Sequence, residues 1–209
     1  MPLRAARGTG RRPAGAESPR QRRADDLRHM RRALRAAHGA ARRAEVPVGA
    51  VVVGAHGAEL AEGSNRTLRD CDPTAHAEIV ALRAAARRAG NHRLTGSTLY
   101  CTLEPCSMCL GAMVQARIGR LVFGADDPKG GALSRGGQSW AGANHRFPIE
   151  GGILKPGCAA VLRNFFLERR GFSTSRLTVE ATHAQAGRRE SNRRRPADFV
   201  LTQRPDRRK

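Results

Sequence analysis

Two stretches decide how this chain is read: Asp72-Pro73-Thr74-Ala75-His76-Ala77-Glu78 and Glu104-Pro105-Cys106-Ser107-Met108-Cys109. One imidazole and two thiols at i and i+3 supply three ligands for a tetrahedral zinc and leave one corner open to water. Positions i and i+3 share a helix face, so both thiolates reach one metal. Pro105 keeps Glu104 extended and marks a strand-to-helix boundary. His76 and Glu78 open one expected helix, and Cys106 and Cys109 open another. Helix N-termini carry partial positive charge and unpaired N–H groups, which favour thiolates.

Working outward, Val46-Pro47-Val48-Gly49-Ala50-Val51-Val52-Val53 reads as a buried strand, 54–57 as a turn, and Glu59 to Ser64 as the returning strand. A loop covers 65–73, and a helix rich in Ala, Leu and Arg covers about 75–89. Ser97 to Leu103 is a strand, Cys106 to Ala116 a helix, and Arg120 to Phe123 a strand. This β-α-β unit predicts parallel strands joined by a right-handed crossover. Residues 147–154 hold a short strand. Pro156 to Arg170 form a last helix with Cys158, Val161, Leu162, Phe165 and Phe166 on its apolar face. Ahead of all this, Leu27, Met30, Leu34, Ala37 and Ala41 recur at helical spacing from Asp26, with Asp25 or Asp26 as the cap.

The flanks read differently. Residues 1–24 and 171–209 lack apolar periodicity and each carry a net +6, against +8 for 25–170, which together make the chain's +20. The reading is a disordered basic tail over 1–24, a zinc-dependent domain over 25–170, and a second disordered basic tail over 171–209. Nearly all the positive charge is Arg, with lysine only at Lys129, Lys155 and Lys209. That balance favours a polyanionic partner, nucleic acid before membrane surface, although a compositional bias toward Arg, Ala and Gly gives the same count. Five cysteines with one C-x-x-C are not a disulfide framework and fit a reducing, cytoplasmic setting. No apolar run reaches the length of a membrane span.

H-x-E followed by P-C-x-x-C is the signature of zinc nucleobase deaminases. Zinc makes hydroxide available at neutral pH for attack on the ring carbon bearing the amine, and Glu78 is the proton shuttle. The chain resembles the bacterial tRNA-specific adenosine deaminase family over about 26–170. The resemblance is carried by Glu45-Val46-Pro47-Val48-Gly49-Ala50-Val51, 72–83, Asn91-His92-Arg93-Leu94, 98–117, 121–125, Asn144-His145-Arg146, Gly151-Gly152-Ile153-Leu154 and 158–170. It implies a cytidine-deaminase-like α/β/α sandwich, three layers with a mixed sheet of about five strands. It further implies a homodimer with one zinc per subunit, and conversion of the wobble adenosine to inosine in a tRNA anticodon loop. His76, Cys106 and Cys109 then match the zinc ligands and Glu78 the shuttle. Asn65 matches a contact to the flipped nucleotide, Val48 a residue packing on the base, and Asp127 an acidic position beside the RNA. Phe165-Phe166 and Arg169-Arg170 match a C-terminal helix that holds the anticodon stem-loop. His92 and His145 are kept as substrate contacts. On pattern alone, Val48 is a core residue, Asn65 a turn residue, Phe165 and Phe166 core aromatics, and Arg169 a helix-terminal cation. The segment from Gly130 to Trp140 departs from the family pattern and is richer in Gly.

Two other readings share the zinc motif. A free-base or nucleoside deaminase acting on guanine, cytosine or cytidine needs no basic surface. An RNA-binding protein with structural zinc needs a fourth protein ligand, for which Cys71 is the nearest candidate, and has no use for Glu78.

Overall fold

The computed structural model describes residues 18–134 and 142–171. Two compact units are delimited, Met1–Phe165 and Phe166–Lys209, the second described only at its start. In chain order the elements are α1 (Pro19–Arg42), β1 (Gly49–Val53), β2 (Glu59–Ser64), α2 (Ala77–Ala89), β3 (Thr98–Leu103), α3 (Ser107–Gln115), β4 (Arg120–Ala125), β5 (Ile149–Glu150) and α4 (Lys155–Arg169).

The strands form one five-stranded sheet ordered β2-β1-β3-β4-β5. β1 lies antiparallel to both β2 and β3, whereas β3 pairs parallel with β4 and β4 with β5. The central strands alternate between two cores. Ala50, Val52, Leu99, Cys101, Leu121 and Phe123 face a cluster with Ile79 and Leu82 of α2 and Leu110 and Met113 of α3. Val51, Val53, Tyr100 and Val122 face Met30 and Ala33 of α1 and Cys158 of α4. Burial on both faces is why these strands read as continuous apolar runs rather than alternating ones. The result is the expected three-layer α/β/α arrangement with a mixed sheet.

Glycine sets the closeness of the layers. A Cβ on Gly49 would lie 2.0 Å from the Ala33 carbonyl oxygen, and one on Gly63 2.4 Å from that of Ala77. These two positions let α1 and α2 lie directly on β1 and β2.

Several boundaries differ from the sequence expectation. α1 begins at Pro19, not Asp26: Ser18 caps it by accepting from the Gln21 N–H at 3.1 Å, with proline in the first turn. Its first turns are exposed and carry no apolar period, so periodicity could not find them. Asp26 is no cap. It is 2% exposed, takes a two-pronged ion pair from Arg120 at 2.7 and 2.8 Å, and accepts from the Tyr100 hydroxyl at 2.9 Å. β1 starts only at Gly49, because the chain turns at Pro47 with the Val48 N–H bonded to the Val46 carbonyl. On α4, Cys158 and Phe165 are buried, but Phe166 is exposed at 40%. The two expected tails lie outside the described residues, except for Ser18, residues 19–24, which are helical in α1 rather than part of a disordered tail, and Gly171. The same holds for 135–141 of the Gly-rich segment.

Candidate active site

The β3–α3 and β2–α2 connections end beside each other, and the two helix starts converge. His76 is the N-cap of α2 and Cys106 the N-cap of α3, and neither side chain caps its own helix. His76 instead turns Nδ1 toward both sulfurs, 3.6 Å from Cys106 Sγ and 3.6 Å from Cys109 Sγ. Bonds of about 2.3 Å to sulfur and about 2.0 Å to nitrogen at a tetrahedral angle put S and N roughly 3.5 Å apart. Both nitrogen–sulfur separations therefore match an edge of a zinc tetrahedron, and the three donor atoms all lie within 4.8 Å of one another. The N–H at the start of α2 is satisfied from elsewhere: Asn65 Oδ1 accepts from Ala77 at 2.9 Å.

The electrostatics follow this crowding. Hydrogen bonding from the Cys109 side chain and from His76 pulls the Cys106 thiol down to about 4. The same Cys106 hydrogen bond, with burial, pushes Cys109 up. His76 is raised by its bond to Cys106. Glu78, 3% exposed in the first turn of α2, is pushed up to about 7 by burial. A carboxyl poised there can take and return a proton at neutral pH.

A cavity of about 220 Å³ opens over the cluster. It is lined by His76, Glu78 and Cys106 together with Val46, Val48, Asn65, Thr67, Leu103, Glu104 and Asp127. The sequence candidates Val48, Asn65 and Asp127 are thus brought together with the metal-ligating trio. His145 is not among them: its Nε2 bonds the Ile118 carbonyl at 2.8 Å and its ring lies against Phe147. His92 is exposed in the turn after α2. Phe166 and Arg169 belong to the second compact unit and are exposed on α4. A larger cavity, about 350 Å³, lies at the other end of β3, around Thr98, Tyr100 and Arg120. The only group of three or more metal-ligating side chains among the described residues is at the smaller one.

Two buried carboxylates, not singled out by sequence, hold the rim. Glu45, 1% exposed, accepts from the Leu68 N–H at 3.0 Å, the Arg69 N–H at 2.8 Å and the Thr67 hydroxyl at 3.1 Å. Glu104, 3% exposed, accepts from the N–H groups of Asp127, Leu133 and Ser134 at 3.0, 2.8 and 2.7 Å, and from the Ser134 hydroxyl. Burial raises both carboxyls, but the donated hydrogen bonds outweigh it and leave each below its ordinary pKa. The only signal in the sequence is an acid inside an otherwise apolar strand approach.

The other cysteines stand apart from the trio. Cys71 is exposed, and its thiol faces the Leu68 carbonyl, while Cys101 and Cys158 are buried in β3 and α4. Among the described residues no fourth Cys or His joins the cluster, and Cys71, the candidate for a closed structural site, stands apart from it. No helix among them is long and apolar enough to cross a membrane.

Comparison with known proteins agrees with this chemistry. The family model for the cytidine and deoxycytidylate deaminase zinc-binding region matches residues 23–125, so zinc is the metal that suits the trio. A tRNA-specific adenosine deaminase of Haemophilus influenzae is 46% identical over 147 residues, 69% of this chain and 85% of that protein. A tRNA(Ile)-lysidine synthase of Deinococcus deserti is 49% identical over 144 residues, but these make up 27% of its length. A solved tRNA:A34 deaminase, studied for A-to-I editing at the wobble position of transfer RNA, superposes with a TM-score of 0.62 at 43% identity. That match covers 65% of this chain and 99% of the other. With the ligand geometry, the buried Glu78 and this extent of identity, the chain belongs to the tRNA-specific adenosine deaminases.

Proposed function

We propose that this chain hydrolyses the wobble adenosine of a tRNA anticodon loop to inosine, with His76, Cys106 and Cys109 holding zinc and Glu78 moving the proton. The observation that carries the chemistry is the pair of His76–sulfur separations, which match a tetrahedral zinc, beside the buried Glu78 carboxyl. Family membership carries the substrate. When bound, zinc supplies Lewis acidity and brings the pKa of water toward neutrality.

The remaining work falls to the protein. Glu78 accepts a proton from water and gives it to the ring nitrogen next to the amine-bearing carbon as the remaining hydroxide adds to that carbon. It then takes the proton of the added hydroxyl and gives it to the amine, so that the C–N bond breaks and ammonia leaves. Val48 offers an apolar wall to the base. Asn65 is held by its bond to Ala77, which leaves its amide nitrogen for the nucleotide. Asp127 sits at the mouth, its Oδ1 taken up by the N–H groups of Lys129 and Gly130. The base must leave its stack to enter a cavity this small. His145, Phe166 and Arg169 are assigned to the RNA outside that cavity. The working unit is a cytoplasmic homodimer with one zinc per subunit.

The test is inosine formation on an anticodon stem-loop carrying a wobble adenosine, using wild type and Glu78→Ala, with free adenosine, cytosine and guanine as competitors. The expected result is inosine with wild type and none with Glu78→Ala at unchanged zinc content. Ammonia from a free base with the stem-loop untouched would assign the chain to small-molecule chemistry instead.

A further inference from the structure

The outermost line of α1 is basic, most densely over its last three turns. At about 100° per residue, Arg20, Arg31, Arg35, His38 and Arg42 fall within an arc of roughly 60°. That arc lies opposite the buried line through Met30, Ala33, Ala37 and Ala40. All five are exposed, and the stripe runs about 33 Å at 1.5 Å per residue.

The arginines of α1 divide by position. Those on its flanks are neutralised: Arg23 by Glu150, Arg28 by Asp25, and Arg32 by both Glu59 and Glu62. Arg20, Arg31, Arg35 and Arg42 form no ion pair with a described residue. No acid interrupts the arc. Its C-terminal end leads in sequence to residues of the active-site cavity. Val46, which lines the cavity, follows Arg42 by four residues. The adjacent Arg43 donates to Ser64 at 2.8 Å, directly before the cavity residue Asn65.

We propose that this stripe binds the phosphate backbone of the tRNA beyond its anticodon loop. The proposal rests on the tRNA reading above. A row of basic side chains about one turn apart from Arg31 to Arg42, with Arg20 about three turns farther out, leading away from the reacting base, suits a phosphate chain and reads no sequence. A bilayer is the poorer partner, because the apolar side of α1 is spent on the core and the arc presents no large apolar residue to insert.

The full chain is compared with its Arg20→Gln/Arg31→Gln/Arg35→Gln/Arg42→Gln variant. The measurements are binding to intact tRNA across a salt series, and KM and kcat for both intact tRNA and the isolated stem-loop. Neutralising four contacts should lower the slope of log Kobs against log[salt] by about 3. KM for intact tRNA should rise, with kcat, melting temperature and stem-loop KM unchanged. An unchanged slope and KM for intact tRNA would make the stripe a solvated face. Equal losses on tRNA and stem-loop would also overturn the proposal, since the effect would then pass through the catalytic site. Binding to phosphatidylserine vesicles that is lost in the variant, with tRNA binding intact, would give the stripe to a membrane. Failure of wild type to form inosine on either RNA would instead refute the catalytic reading, which separates the two failures.

Discussion

Replacing Glu104 with Gln tests whether one buried carboxylate holds the rim of the site. Oε1 accepts from the Leu133 and Ser134 N–H groups, while Oε2 accepts from the Asp127 N–H and the Ser134 hydroxyl. The best placement of a Gln amide puts its oxygen at Oε1 and keeps the first two bonds. Its NH2 then meets the Asp127 N–H, donor against donor; the Ser134 hydroxyl can turn to accept. One buried N–H left unpaired costs about 1–3 kcal/mol. Loss of charge assistance in the bonds that remain adds about 1 kcal/mol, so the total is roughly 2–4 kcal/mol. Urea denaturation at pH 7 should show that loss of stability. Hydrogen exchange should show the Asp127 amide losing protection by a factor of about 30 or more, with Leu133 and Ser134 less affected. Because the donors hold the Glu104 carboxyl below 4.5 in the folded chain, its contribution is fully present above that value. The contribution fades as pH falls from 4.5 through the lower folded value, so the difference between wild type and variant should shrink in that acidic window and not near neutrality. A variant within about 0.5 kcal/mol of wild type at pH 7, with Asp127 still protected, would refute the reasoning.

Three further outcomes follow from the geometry. Cys106→Ala removes one of three donors, so zinc measured by elemental analysis should fall from one per chain to near zero; stoichiometric zinc in that variant would show that another residue ligates. Asn65→Ala strips the acceptor from the Ala77 N–H at the start of α2 and should cost about 1–2 kcal/mol by thermal denaturation. It should also weaken zinc retention against a chelator, because His76 loses its fixed N-cap position. Gly49→Ala drives a Cβ to 2.0 Å from the Ala33 oxygen and 2.7 Å from the Ala37 nitrogen, both backbone atoms, so about 3 kcal/mol or more should be lost. Gly57→Ala, with nothing within 4 Å and φ +79°, should cost only about 1 kcal/mol and serves as the control.

The metal trio was legible because its information is local. His76 and the Cys106–Cys109 pair each occupy a few consecutive residues at a helix start, and spacing on a helix face is fixed by helical geometry whatever the rest of the chain does. The parallel β3–β4 pair was legible for a similar reason: a strand, a helix and a strand in succession admit one handedness of return. The start of α1 was not legible, since its first turns are held by a cap and a proline rather than by a buried stripe.

Other roles depend on neighbours far along the chain. Asp26 looks like a helix cap until Arg120 and Tyr100, 94 and 74 residues away, are folded against it. Glu45 and Glu104 look like surface acids until loops 22 to 30 residues downstream close over them and donate their N–H groups. Asn65 looks like a turn residue until it satisfies the helix start that His76 leaves uncapped. The sequence by itself determined the chemistry of the ligands and the alternation of strands and helices, because both are set by residue type and short-range period. Only the tertiary structure decided which buried polar groups are paired, and thereby how the rim of the site is held, because a buried donor or acceptor takes whatever partner the fold brings within about 3 Å.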